Sequence, residues 1–500
     1  MLKIIPFAFS MLVIVFTALM LIKKLPQYHF FIKKGLHFFA ILLCAIAVKI
    51  VPTWDLFLVV TISFAMVGVS IWKGFLADPV TGEKETGVIY FIAAFWILLT
   101  IALFTGKSEY LIFTSYSLLV LSISDGLAGA VGRWYSSVVS INKTDLILGK
   151  GMVKRKSWAG FIVFWLSSFL IILHFLGTYT TYSLMDCMLT SAIISMVLAM
   201  IEFISLRGLD NISVTVATFL FLKWLHINSF IGLFDLNTLS VFYLWLTSII
   251  LLIFFLKVRF LTRSGIFAAF ILAFAVVVLS RQTLIPLFVF LIVGSLLGKL
   301  PHENIMSDDR FSKPRNSSQV FSNGGVVFLL GVIYWIGELF SLELFTSIEI
   351  GKLMLISVAI CMSDTVSSEL GSRYGGIPKD MISRHKLLAG VSGGITWLGS
   401  FFGFVGAVLM VVLGKCFYPI SNSEIVVYSL LGFLGMMVDS FLGSVFQWKV
   451  LVDGHRIDAG ADKDGIKHYG IKWVSNNAVN FLSNLLIISI LCVCFWLNKF

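Results

Sequence analysis

Two stretches of this chain place an aspartate at the end of an apolar run. The first is SISDGLAGAVGRWY, Ser122 to Tyr135, and the second is CMSDTVSSELGSRYG, Cys361 to Gly375. Both carry Ser-Asp, then a glycine seven residues beyond the aspartate (Gly132 and Gly371), then an arginine. A carboxylate at the edge of lipid is costly, so such a residue is a functional candidate by default. The plainer role for any one of them is a helix cap or an ion pair with a nearby Lys or Arg. A second acidic position follows in each half. Glu202 and Asp210-Asn211 come after Asp125, and Asp439-Ser440 comes after Asp364. Mg²⁺ takes one or two protein carboxylates and fills its remaining positions with phosphate oxygens and water. Basic side chains and backbone N–H groups exposed by glycine hold phosphates. Asp125, Glu202 and Asp210 with Lys34, Arg133 and Lys156 therefore suit a metal–nucleotide site that a lipid alcohol reaches sideways from the bilayer. The glycines three apart (Gly126, Gly129, Gly132) suit equally a close approach of two helices.

The elements that must position these residues are membrane helices. The chain has 500 residues, of which 59% are hydrophobic and 13% charged, and its mean hydropathy is +0.99. That excludes an ordinary soluble protein and predicts an all-α, polytopic bundle. Apolar runs of spanning length number about 16, centred near residues 13, 44, 64, 96, 121, 168, 193, 222, 248, 272, 290, 334, 360, 402, 436 and 486. The first run, IIPFAFSMLVIVFTALMLI, reads as a retained span because LIKKLPQYHF, with no small-residue cleavage site, follows it. Alternation of the loops puts most of the 37 Lys and Arg on one side, which the positive-inside rule makes the cytoplasm. The +11 charge is thus a matter of topology, and no nucleic-acid surface is expected. The six cysteines lie in or beside apolar runs and read as reduced, structural residues.

The polar motifs fall into two sets on that same expected face. They give a first domain over 1–235, a linking span over 236–257 and a second domain over 258–500, with a weak internal repeat. Asp125 and Asp210 are 85 residues apart, and Asp364 and Asp439 are 75 apart. The nearest approach to a Walker A loop, FTGKS at 104–108, lacks its upstream glycine. No HExxH, paired CxxC or GxSxG stands out, so a soluble-type NTPase, a zinc protease and a serine hydrolase find no support.

On these motifs the first half, about 20–232, resembles the CTP-dependent polyprenol kinases, the phytol and dolichol kinases. The matching pieces are KKGLH (33–37), ETG (85–87), SDGLAGAVGR (124–133), KSWAG (156–160), and Glu202 followed by LDNISV (209–214), with Thr215 in place of the family's proline. The second half resembles the membrane family that contains phytyl-phosphate kinase. It does so through LTRSG (261–265), RNSSQVFSNGG (315–325), SDTVSSELG (363–371), GVSGGITWLGS (390–400), GFLGMMVDSFLGSVFQ (432–447) and KWVSNNAVNFLSN (472–484). Asn477 stands where many relatives have Asp.

The resemblance implies two successive phosphoryl transfers, from prenyl alcohol to monophosphate and from monophosphate to diphosphate, with CTP as donor and Mg²⁺ as cofactor. It implies catalytic or metal roles for Asp125, Glu202 and Asp210 in the first half, with Lys34, His37, Arg133, Lys156 and Asn211 on the nucleotide. In the second half it implies catalytic and metal roles for Asp364 and Asp439 and a metal role for Glu369, with Arg315, Asn323, Asn476 and Asn480 on phosphate. The partners expected are prenyl alcohol and prenyl phosphate lipids, a nucleoside triphosphate and the membrane. Two other readings remain open at the level of sequence. One is a CTP-dependent lipid-phosphate cytidylyltransferase. The other is a secondary transporter, whose sites would lie near the bilayer midplane rather than at one face.

Overall fold

The computed structural model describes residues 4–72, 86–138, 157–205, 208–227, 258–300, 314–340, 342, 344–452, 455–458 and 468–497. The chain divides into two compact units, Met1–Phe242 and Tyr243–Phe500. The expected linking span, 236–257, lies outside the described residues, as does Lys156.

In lipid every backbone polar group must be satisfied within its own segment, which leaves helices as the economical solution for such apolar sequence. The first unit contains α1 (Ile4–Lys24), α2 (His29–Ile50), α3 (Thr53–Trp72), α4 (Thr86–Thr105), α5 (Glu109–Leu119), α6 (Gly126–Val138), α7 (Trp158–Tyr179), α8 (Leu184–Ile204) and α9 (Asp210–Ile227). A wider π turn, Val120–Asp125, carries α5 into α6 without a break. Side-chain hydroxyls inside the unit return to the carbonyl one turn back, as Thr114 does to Tyr110, Ser168 to Phe164 and Thr218 to Val214. They satisfy themselves and so can be buried without outside partners.

The second unit contains α10 (Arg263–Ser280), α11 (Leu284–Leu297), α12 (Ser317–Phe340), α13 (Ser347–Tyr374), α14 (Trp397–Lys415), α15 (Asn422–Val445) and α16 (Asn476–Leu497). Small ribbons lie between the helices. Lys379–Asp380 pairs antiparallel with Gly394–Ile395, and a three-stranded sheet joins 449–452, 455–458 and 468–469. Capping boxes start α13 (Thr346 with Glu349) and α15 (Ser421 with Glu424). Lys352 reaches Glu424 at 2.7 Å and Tyr428 donates to the same carboxylate at 2.8 Å, tying those two starts together.

The protein is an all-α polytopic membrane protein. Twelve helices among the described residues are long and apolar enough to cross a membrane. The sequence count of about 16 also includes α9, α10, α11 and the run near 248. The last lies outside the described residues. Helix α11 has 14 residues, about 21 Å at 1.5 Å per residue, short of a hydrocarbon core of about 30 Å. Counting apolar residues cannot see where such a helix stops. Helices α10 and α11 still return the chain to the face it left. Lys299 donates to the carbonyl of Val258 at 2.6 Å, and Thr262 N–H donates to the carbonyl of Arg315 at 2.9 Å.

In each unit one span is far more enclosed than the rest. The stretch Glu109–Tyr135 is 72% buried and Ser347–Tyr374 is 78%, whereas no other candidate span exceeds 50%. These are the two helices that carry the Ser-Asp motifs.

Candidate active sites

In the first unit three acidic motifs distant in sequence meet. One carboxylate oxygen each from Asp125, Glu202 and Asp210 can be chosen so that all three lie within 4.8 Å of one another, with Asp125 and Glu202 buried. The elements explain the convergence. Asp125 ends the π turn, Glu202 lies in the last turn of α8, and Asp210 opens α9. The α8–α9 corner is held against the start of α4. Asn211 Nδ2 donates to the carbonyl of Gly87 at 2.7 Å, and Gly208, at φ +80°, lies so close to Gly87 that a Cβ would come within 2.8 Å of its Cα. Gly87 of the ETG motif and Asn211 of the LDN motif are thus the two sides of one joint.

Lys34 Nζ lies 2.8 Å from Asp125 Oδ2, and His37 Nε2, one turn further along α2, lies 3.3 Å from the same oxygen. Gly129 makes room for this approach, since a Cβ there would come within 2.6 Å of Lys34 Cε. Two carboxylates 4.8 Å apart repel by roughly 3 kcal/mol at an effective dielectric near 20. A divalent cation turns that repulsion into attraction. Oxygens in an octahedral Mg²⁺ shell sit about 3–4 Å apart, so the three side chains fit such an ion with a small closure. Arg133 stacks on Phe30 with its guanidinium carbon 4.2 Å from the ring centroid. It therefore sits at the start of α2, beside the lysine motif.

Asp125 and Asp364 are fixed by the same joint. Ser157 caps α7 by accepting from Gly160 N–H at 3.1 Å, and Thr396 caps α14 by accepting from Gly399 N–H at 3.0 Å. A Cβ on Gly160 would meet the carbonyl of Ala128, three residues after Asp125. A Cβ on Gly399 would meet the carbonyl of Ser367, three residues after Asp364. Gly132 and Gly371, each seven residues past its aspartate, face those capping hydroxyls. Ser124 and Ser363, the serines of the two motifs, share a further property. Each has a buried hydroxyl with no hydrogen-bond partner among the described residues, which is costly unless a ligand or water completes it.

In the second unit a single helix face addresses both aspartates. Asn480 Nδ2 lies 3.5 Å from Asp364 Oδ2 and 3.4 Å from Asn323 Oδ1. Ser483, three residues on, donates to Asp439 Oδ2 at 3.1 Å, and Asn484 donates to the carbonyl of Ser357 at 3.1 Å. Ser483 and Asn484 were not singled out from the sequence. The signal was present, since 480, 483 and 484 share one face of a helix.

Glu369, expected beside Asp364 on the metal, is paired with Arg373 at 2.7 Å. That arginine also donates to the carbonyls of Leu297 and Leu300 at 2.7 and 3.1 Å. The pair clamps the end of α13 to the end of α11. Asn476 accepts from Ser392 Oγ at 2.8 Å, and Asn477 donates to Ser318 Oγ at 2.8 Å. These two hold the glycine-rich loop and the start of α12 to α16. Asp380 also escaped notice in the sequence. It anchors the loop between α13 and α14, accepting from Ile382 N–H, Ser383 N–H, Ser383 Oγ and Ser444 Oγ at 2.8–3.1 Å. Burial alone would raise its pKa. The donors of Ser383, Ser444 and Ile382 outweigh burial and hold it below the usual carboxylate value.

The second unit matches a membrane family along most of its length. Residues 246–488 match the family described as "Integral membrane protein DUF92". An uncharacterized membrane protein of Methanocaldococcus jannaschii is 26% identical over 204 residues, covering 40% of this chain and 81% of that protein. No solved structure matches.

Proposed function

We propose that this chain is a membrane phosphotransferase that phosphorylates a prenyl alcohol in its first unit and the resulting monophosphate in its second. CTP is the donor in this reading, and Mg²⁺ the cofactor. The observation that carries it is the meeting of Asp125, Glu202 and Asp210 within 4.8 Å, with Lys34 alongside. The resemblance to polyprenol kinases rests on those same residues.

In the first unit the lipid hydroxyl oxygen bonds to the γ-phosphorus, the bond from that phosphorus to the bridging oxygen breaks, and CDP leaves. Asp125, Glu202 and Asp210 would hold Mg²⁺, which neutralises phosphate charge when bound. We assign Asp210, in the first turn of α9, to take the hydroxyl proton. Lys34 and Arg133 bind phosphate oxygens and orient the donor. Such a reaction needs little covalent help and depends on position and charge neutralisation. In the second unit Asp364 and Asp439 would hold the metal, Asn480 and Ser483 orient their carboxylates, and Arg315 and Asn323 receive the phosphate acceptor. The nucleotides reach both sites from the cytoplasm.

The test is to incubate membranes containing the protein with prenols and CTP labelled at either the α or the γ phosphorus. Transfer of γ label into prenyl monophosphate and diphosphate supports the reading. Transfer of α label into lipid would make the protein a cytidylyltransferase, and no transfer with any prenol or nucleotide would remove the enzyme reading.

A further inference from the structure

Between α13 and α14 the chain folds back on itself as a short antiparallel ribbon. Lys379 lies directly opposite Lys386. Leu387 N–H donates to the carbonyl of Pro378 and Asp380 N–H to that of His385, both at 2.8 Å. Successive residues of a strand point to opposite faces, and directly paired residues share one. One face thus carries Pro378, Asp380, His385 and Leu387, and all but His385, at the turn, are buried. That face is drawn onto the end of α15. Ser444 Oγ donates to Asp380 Oδ1 at 2.8 Å, and a Cβ on Gly393 would come within 2.5 Å of Ser444 N. The ribbon therefore lies at the level of the helix ends. The other face carries Ile377, Lys379, Lys386 and Leu388, and all four are exposed, Ile377 by 65% and Leu388 by 43%. Like charges directly opposite each other in a ladder repel. Arg384, exposed in the turn at φ +59°, adds a third positive charge. The one acidic residue from Tyr374 to Trp397 is the buried Asp380. Among the described residues Lys379, Arg384 and Lys386 make no ion pair. The bare face is thus two uncompensated lysines beside two aliphatic side chains.

We propose that this face rests on anionic phospholipids of the leaflet that the ends of α13 and α14 reach, with Lys379 and Lys386 sharing a lipid phosphate and Ile377 and Leu388 set among the upper acyl carbons. The exposed aromatic residues Tyr374 and Trp397, at the two span ends, mark the depth of the membrane interface. Ile377 follows Tyr374 by three residues, so the aliphatic pair is nearest the span end and the charges come next along the ribbon. Water would leave the aliphatic pair hydrated, and a neutral surface would leave the lysines repelling each other. An anionic membrane surface answers both. The inference does not depend on the reaction, since it uses no residue of either acidic site.

The test is binding of acyl-labelled phosphatidylglycerol to the purified full chain in neutral detergent, with acyl-labelled phosphatidylcholine alongside. Phosphatidylglycerol should bind about tenfold more tightly, and less so as salt is added. Lys379→Gln and Lys386→Gln should each weaken its binding about fivefold, and Lys386→Arg should keep it. Ile377→Ser should weaken it without altering its salt dependence. Lys415→Gln, at the far end of α14, should leave it unchanged. Both ribbon lysines are exposed, so neither change should lower the melting temperature. Inorganic phosphate and CTP, added as competitors, should displace little lipid. Equal binding of the two lipids would overturn the proposal, as would a folded double variant, Lys379→Gln with Lys386→Gln, that binds phosphatidylglycerol as the unaltered chain does. Full displacement by CTP would make the face a nucleotide surface and would overturn it too.

Discussion

Gly129→Ala separates packing from chemistry at the first site. The new methyl would stand 2.6 Å from Lys34 Cε, 3.0 Å from Nζ and 3.2 Å from Cδ. Comfortable carbon contacts are about 3.5–4.0 Å, so the lysine end must withdraw by about 1 Å. That withdrawal costs the fold little, because the side chain is 26% exposed and flexible at its end. Replacing glycine by alanine inside a helix also gains about 0.5–1 kcal/mol. The Lys34–Asp125 contact of 2.8 Å, however, lengthens beyond hydrogen-bond range. On the proposed assignment the displaced ammonium also loses its phosphate oxygen, a hydrogen bond to a charged group that contributes about 1.5–3 kcal/mol, so phosphorylation slows by about 10–100-fold. The assay is initial-rate prenol phosphorylation alongside a thermal melt of the purified protein. The expected variant is as stable as the parent and slower by that factor, with Lys34→Ala at least as slow. A stable Gly129→Ala protein with unchanged rate would refute the role given to Lys34. A large fall in melting temperature would show that the glycine serves packing alone.

Asp125→Asn should abolish prenol phosphorylation and leave conversion of added monophosphate to diphosphate intact; loss of both steps in a folded protein would sink the two-site scheme. Asp364→Asn and Asp439→Asn should each slow the second step about 10²-fold, the double variant should be scarcely slower than the worse single one, and monophosphate should accumulate. The Asp380 carboxylate is held below its ordinary value in the fold, so the stability it contributes is complete above about pH 4 and is lost as pH falls through the lower folded value. Hydrogen exchange of residues 381–394 should therefore rise below pH 4, and Asp380→Asn should show fast exchange already at pH 7. Cysteines placed at Asp145, Asp308, Pro378 and Gly460 should label from the cytoplasm and one at Leu236 from outside; labelling of 145 and 378 from opposite faces would overturn the orientation.

Much of this was legible in the sequence because membrane helices obey simple rules. Apolar runs marked helices, and acidic residues at their ends were rare enough to notice. Asp125, Glu202 and Asp210, read separately, do converge. Other features were hidden for physical reasons. The π turn at Val120–Asp125 leaves no compositional trace, since its residues are ordinary helix residues. The pairing of Glu369, expected on the metal from the resemblance, with Arg373 one turn later on the same helix face was not anticipated. Asp380 sits in a loop whose turn geometry, with Arg384 at φ +59°, cannot be read from hydropathy. The short α11 scored as a span because hydropathy counts residues and not where the helix ends.

The shared joint bears on what the two sites do differently. Each aspartate is placed by a central helix whose third following carbonyl and seventh following glycine abut a hydroxyl-capped helix start. The two carboxylates are therefore held alike, and the difference between the sites lies in their partners. In the first unit Asp125 has two more carboxylates and a lysine at hand. In the second, Asp364 and Asp439 are met by Asn480 and Ser483, and Arg315 and Asn323 line an apolar cavity beside them. On the proposed assignment this matches the charge of the acceptors. An alcohol is neutral and must lose a proton, so an additional carboxylate helps. A lipid monophosphate carries about −1.5 to −2 charges at neutral pH and would be repelled by that same carboxylate. The amides of Asn323 and Asn480 and the nearby charge of Arg315 lower that repulsion without moving the aspartate. Two sites that hold one acid alike could thus serve the two proposed reactions by differing in what surrounds it.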